Sequence, residues 1–245
     1  MLKLVQVLGL SVAIALITLI ILQAKTNQEL AQICHAIAPG TPLATSVQLT
    51  MSGQIRLSPE QNWMPVQAQE ILSTQGFIWR AIAGEGVMQM QGADYYTQGD
   101  GRMRFSLWGM IPVVNAQNED VMRSAIGRWI GEYFWLPSAL LPQRGVSWRA
   151  IDSNTIQASL KADGQPITLT FEIDEQGQVL RSSLLRWGNQ TPDQHYAEIP
   201  FGGKFQAEKT FGGYTIPSQM GAGWWIGTDR YFEFFRVAIE QAEFR

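Results

Sequence analysis

Three carboxylates stand where acid–base chemistry is conceivable: Asp94 in Asp94-Tyr95-Tyr96, Asp100 in Asp100-Gly101-Arg102, and Glu132 in Arg128-Trp129-Ile130-Gly131-Glu132. Paired carboxylates divide acid and base roles when their surroundings separate their proton affinities. Glu132 has two readings. In one it points into a cleft with a raised pKa, facing Arg80 or Arg104. In the other, simpler one it pairs with Arg128 four residues earlier, on a helix surface, worth a few tenths of a kcal/mol. The simpler reading is preferred, and Asp100 between two glycines reads as a turn residue. Other chemistry is excluded by inspection. H-E-x-x-H, Cys-x-x-Cys, G-x-S-x-G, a P-loop and a dinucleotide fingerprint are all absent from the sequence. His35 and His195 are the two histidines, too few for a histidine metal site. No cofactor is expected.

Aromatic and cationic residues suggest binding instead. The chain has nine Trp, and an excess of Trp can line a pocket for an apolar ligand as well as fill a core. Phe77, Trp79 and Ala81 alternate, so they share one face of a strand, and Met103, Phe105 and Leu107 are expected to share it. A helix offers Met122, Ile126, Trp129 and Tyr133 at helical spacing. Between these layers a cleft would take an apolar or amphipathic ligand. Arg80, Tyr95 and Arg104 would hold its polar head, with Trp79, Trp129 and Glu132 completing the ligand-binding set. Full packing of the two layers would make the same residues a core.

The elements that must position these residues are mostly strands. Period-two alternation marks 46–51, 53–57, 77–82, 102–108, 155–161, 167–173 and 179–187. Asp163-Gly164 is a hairpin turn signal. Gly99-Asp100-Gly101 reads as a turn. Gly202-Gly203, Gly212-Gly213 and Gly221-Ala222-Gly223 read as breaks between short strands, and Phe234–Glu240 as the strand that closes the sheet. One long helix interrupts, capped by Asn118, with Glu119 and Asp120 in its first turn and Pro137 as its stop. The fold expected is α+β, mainly antiparallel: a curved meander or half-barrel with one long covering helix.

The amino terminus reads differently. Leu4–Leu22 is uncharged and contains six Leu, four Ile and three Val. As a helix it would span about 28 Å, close to the ~30 Å hydrocarbon core. Those thirteen residues favour insertion by about 6 kcal/mol. Residues 1–24 are therefore expected to be a transmembrane anchor, 25–44 a linker with a short helix at 27–36, and 45–245 one β-rich domain. Lys3 before the span favours a cytoplasmic amino terminus and an extracytoplasmic body. The balance of 18 basic against 21 acidic residues, net −3, lacks the basic footprint of a nucleic-acid partner. Cys34, the single cysteine, excludes an internal disulfide.

Several segments resemble a family of uncharacterised bacterial proteins, mostly with one N-terminal span. They are Gly53-Gln54-Ile55-Arg56, Phe77-Ile78-Trp79-Arg80-Ala81, Asp94-Tyr95-Tyr96 with Gly99–Met103, Glu132 with Trp135-Leu136-Pro137-Ser138-Ala139-Leu140-Leu141, Val146-Ser147-Trp148, and Phe201-Gly202-Gly203 before Gly213-Tyr214-Thr215-Ile216-Pro217. The likeness covers roughly residues 45–240 and brings no catalytic residues with it. Gly213-Tyr214-Thr215-Ile216-Pro217 also resembles a step in the half-barrel proteins that carry lipids and lipoproteins across the periplasm. The anchor, the expected cleft, the Trp and Met content and the absent motifs point to a membrane-anchored extracytoplasmic binding protein for an apolar or amphipathic ligand; an interaction module of an envelope complex and a carboxylate–arginine enzyme are the alternatives.

Overall fold

The structure, a computed structural model, describes residues 35–245. The Leu4–Leu22 span, most of the short helix at 27–36, and Cys34 lie outside these residues. Among the described residues no helix is long and apolar enough to cross a membrane.

Thirteen strands form one antiparallel sheet. The first meander is β1 (Ser46–Ile55), β2 (Met64–Ser73), β3 (Gly76–Ala83), β4 (Met90–Thr97), β5 (Asp100–Leu107) and β6 (Ile111–Ala116). The second is β7 (Ser147–Ala150), β8 (Thr155–Ala162), β9 (Gln165–Ile173), β10 (Val179–Gly188), β11 (Ala197–Phe211) and β12 (Tyr214–Trp224). The last strand, β13 (Phe232–Phe244), does not close an edge. It lies between β12 and β1 and joins the two meanders, giving the order β6-β5-β4-β3-β2-β1-β13-β12-β11-β10-β9-β8-β7. The sheet is open.

Helix α1 (Glu119–Gly131) connects the meanders. Asn118 caps it, accepting a hydrogen bond from Val121 N at 2.9 Å. Asn118→Ala is expected to cost about 1 kcal/mol in urea unfolding. Short 3₁₀ turns at Tyr133–Trp135 and Pro137–Leu140 follow, so the helix ends before Pro137, which opens a turn instead of stopping it. Ala125, Ile126, Trp129 and Ile130 are buried.

The helix shows that the sheet curls. It packs against β4 and β5 on one side and β9 and β10 on the other. In a flat sheet of this order, β5 and β10 would stand eight spacings apart, ~38 Å. A helix is only ~10–12 Å across. Both contacts are possible only if the sheet wraps around α1. Two glycines let it close: Gly101 lies against Met122 of the helix, and Gly127 of the helix lies against Arg186 of β10.

Strand alternation then decides burial. Val47, Leu49 and Met51 of β1, and Phe77, Trp79, Ala81 and Ala83 of β3, face inward. Asp163-Gly164 turns as expected, with both residues at positive φ. The chain turns at Gln98-Gly99 rather than around Asp100, which already belongs to β5. Two glycine pairs depart further from expectation. Gly202-Gly203 and Gly221-Ala222-Gly223 lie inside long strands and face each other in register. A side chain at Gly202 would collide with the carbonyl of Ser182, and one at Gly223 with that of Phe232. These glycines serve close backbone approach, not chain reversal.

Residues 36–44 lie on the sheet. Ala38 N donates to Gly213 O at 2.9 Å, and Tyr214 Oη donates to Pro42 O at 2.8 Å. His35 Nε2 meets Glu208 Oε2 at 2.7 Å.

Candidate functional site

Register divides the four expected binding residues that lie on strands between the two faces of the sheet, while Trp129 and Glu132 belong to α1 and its C-cap. Glu70, Trp79, Asp94 and Met103 sit directly opposite one another on β2 to β5, so their side chains share the inner face under α1. Gln69, Arg80, Ala93 and Arg104 form the next row, which must face outward. Tyr95 lies on that outer face as well, opposite Ile78 and Arg102. Arg80, Tyr95 and Arg104 therefore do not rim the helix–sheet layer, because a shift of one residue along a strand exchanges faces.

The inner face holds a buried ionic cluster. Arg128 of α1 donates through Nη1 to Asp94 Oδ2 at 2.7 Å and through Nε to Glu132 Oε1 at 2.9 Å. Its Nη2 comes within 3.9 Å of Glu70 Oε1. Its guanidinium lies 4.7 Å from the ring of Phe77 and 4.9 Å from that of Trp79. Arg186 of β10 approaches from the other meander, donating to Ser124 O at 3.0 Å and lying over Phe201 and Trp224. The Arg128–Glu132 pair is thus not a surface pair: the two side chains are 15% and 16% exposed. Glu132 faces Arg128, not Arg80 or Arg104. The helix turns its Arg128 inward because the sheet row beneath it carries Asp94 and Glu70.

The electrostatics follow from burial. Desolvation raises the Asp94 carboxyl above its usual range despite Arg128 and Arg186. Glu70 is raised well above the carboxylate range, first by burial and then by the charge of Glu132. Burial opposes the charge of Arg128, but Glu132, Asp94 and Glu70 together lift it above its ordinary value. Arg186 is brought down to about 10 by burial and by Arg128.

Trp129 completes the inner face. It donates to Ser73 O at 2.7 Å and packs on Tyr96 and Tyr133 with ring centroids 5.5 and 5.9 Å apart. It is a core residue, as is Trp79.

The outer face carries an open groove of about 760 Å³ across β1 to β5 and β13. Arg80, Arg104, Gln69, Gln91, Ile82 and Glu240 line it. Arg80 and Arg104 stand two strands apart, ~10 Å at the backbone, with small Ala93 between them. Neither makes a hydrogen bond or ion pair among the described residues. Glu240 is held by Ser52 at 2.5 Å. Ile82 and the neighbouring Ile71 and Ile78 are exposed on the same face. Tyr95 is engaged elsewhere, donating to Asp100 Oδ2 at 3.1 Å.

Sequence reasoning missed Glu70, Arg128 and Arg186 as members of the buried cluster. A signal existed for two of them. Glu70 shares its parity with Val66, Ala68 and Leu72, and Arg186 shares its own with Ser182 and Leu184. A charged residue on a buried parity announces an internal partner.

A model described as a family of unknown function (DUF6920) matches residues 32–244. No curated protein matches the sequence. Solved structures similar to this chain include a LolA superfamily protein from Nitrosomonas europaea, 8% identical, with 90% of this chain and 93% of that one covered and a TM-score of 0.48. Another is a DUF1329 family protein from Desulfovibrio piger, 9% identical, covering 82% and 86% of the two chains with a TM-score of 0.42.

Proposed function

The chain belongs to DUF6920, a family of unknown function, and we propose that it is a membrane-anchored, extracytoplasmic protein that binds an amphipathic ligand with an anionic head. The observation that carries this reading is the outer groove lined by two guanidinium groups that no described residue pairs with. An unpaired cation in a groove is a ready donor for a carboxylate or phosphate, and two of them ~10 Å apart converge on one head group. Ile82, Ile78 and Ile71 would lie along the apolar part of the ligand. Leu4–Leu22 supplies the anchor in this reading, and Lys3 the orientation.

The inner layer supports the ligand reading less well, because Trp79, Trp129 and Tyr133 are buried and α1 touches both meanders. The carboxylate–arginine cluster converges as an enzyme's acid–base pair would. However, Glu70 and Asp94 are buried beneath α1, on the face away from the groove.

A fluorescent fatty-acid probe tests the proposal. Saturable binding is expected, and Arg80→Ala with Arg104→Ala should weaken it at least about tenfold, since a hydrogen bond to a charged group is worth about 1.5–3 kcal/mol. A probe that fails to saturate, or that binds the double variant equally, overturns the groove as the site. A second reading, an interaction module of an envelope complex, is favoured by Val87, Met88, Met110, Ile111 and Val113. These apolar side chains are exposed around the β3–β4 loop, the β5–β6 turn and strand β6.

A further inference from the structure

Arg128 does not satisfy the carboxylates around it. Its Nη1 and Nε are committed to Asp94 and Glu132, and its Nη2 stops 3.9 Å from Glu70, beyond hydrogen-bonding distance. Both oxygens of Glu70 and Oε2 of Glu132 are buried without a donor. Glu70 is fully buried. The charges tell the same story. Among the described residues, the cations facing Glu70, Asp94 and Glu132 are Arg128 and Arg186, so the cluster lacks one positive charge. A buried ionised carboxylate with neither counter-charge nor donor takes up a proton instead.

One proton cures both deficits. On Glu70 it neutralises the cluster and supplies an O–H donor for Glu132 Oε2. Both carboxyl groups converge on the one guanidinium, Glu132 on Nε at 2.9 Å and Glu70 toward Nη2 at 3.9 Å. We propose that Glu70 is a proton-binding site that shares its proton with Glu132 and so latches β2 to the C-terminal end of α1. The charged groups facing it are Asp94 from β4, Arg128 and Glu132 from α1, and Arg186 from β10. Its neighbours on β1 and β3 are uncharged Leu49 and Trp79. Two further buried polar groups without partners, Trp79 Nε1 and Tyr96 Oη, belong to the same inner face.

The direction of the pH effect follows. Folding holds a proton on Glu70 that the unfolded chain releases above the ordinary carboxylate range. The stabilisation is complete below that range and is lost as pH rises through the raised folded value. The latch therefore loosens as the medium becomes alkaline.

Isotope-edited infrared spectroscopy of the full-length chain in detergent, with ¹³C at the glutamate carboxyls, tests the site. A protonated carboxyl band is expected at about pH 7 in the wild type and should be lost in Glu70→Gln. Glutamine keeps an N–H donor for Glu132 but cannot titrate. The variant's Tm should therefore fall less than the wild type's between about pH 5 and 8; Asp94, also raised, leaves a residual slope. A wild-type spectrum with no protonated glutamate, or a variant whose Tm falls as steeply as the wild type's, overturns the proposal. If Glu70→Gln does not fold, Glu70→Asp takes its place, with the protonated glutamate band expected to vanish, and a wild-type spectrum without that band still overturns the proposal.

Discussion

Trp135→Ala is expected to remove about 3–5 kcal/mol of stability. The indole is only 2% exposed, at the junction where α1 has ended and the chain tightens into 3₁₀ turns. Its Nε1 donates to Pro217 O of β12 at 3.0 Å, and its ring meets Phe134 edge-on at 4.8 Å. Phe134 in turn packs on Phe205 of β11, 4.7 Å away. Truncation leaves a cavity the size of an indole and an unpaired carbonyl beneath it. For a domain of this size that corresponds to a fall in Tm of about 10 °C or more. Calorimetry or urea unfolding of the purified chain reads it directly. An unchanged Tm would mean that this segment does not pin the second meander to the helix.

Arg128→Met is expected to cost a similar amount, about 3–5 kcal/mol near neutral pH, for a different reason. Methionine fills much of the volume, so the loss is electrostatic. Asp94, Glu132 and Glu70 would be left as buried carboxyl groups with Arg186 as their remaining cation. The folded proton affinities of Asp94 and Glu70, already raised by burial, would rise further without Arg128. A group whose folded pKa is raised stabilises below its unfolded pKa and loses that contribution as pH climbs. The deficit relative to wild type should therefore be smallest near the carboxylate range and largest at neutral pH. Urea midpoints at about pH 5 and 7.5 compare the two conditions. Arg128→Lys should not restore stability, because a single ammonium cannot reach Asp94 and Glu132 together as the guanidinium fork does. An equal deficit at both pH values would show that Arg128 acts through packing alone.

Much of the frame was legible before any coordinates. Alternation at 46–51, 77–82, 102–108 and 155–173 identifies strands, because an antiparallel strand with one buried face writes that face into every second residue. The inward placement of Phe77, Trp79 and Ala81 with Met103 and Phe105 is of this kind. Asn118 and the acidic first turn identify the start of α1 for equally local reasons, whereas the helix ends at Gly131, before Pro137, which opens a 3₁₀ turn instead of stopping the helix. Glycine pairs were harder to read. The same residue type that turns the chain at Gly212-Gly213 lies mid-strand at Gly202-Gly203, and only the neighbouring backbone distinguishes the two.

The sequence by itself determined the strand periods, the long helix after Asn118 and the family. Only the tertiary structure decided which face each charge occupies and what it meets. Arg80 and Arg104 read like a rim for the helix layer, yet register places them on the far side of the sheet, where no described residue pairs with them. Arg128 and Glu132 read like a helix surface pair, yet the curl of the sheet brings Asp94 and Glu70 up beneath them. Glu70 lies 58 positions from Arg128 in the chain, and no local pattern encodes that separation. Pairing across a folded sheet is a long-range property: it depends on the sum of strand registers and on how tightly thirteen strands wrap around one helix.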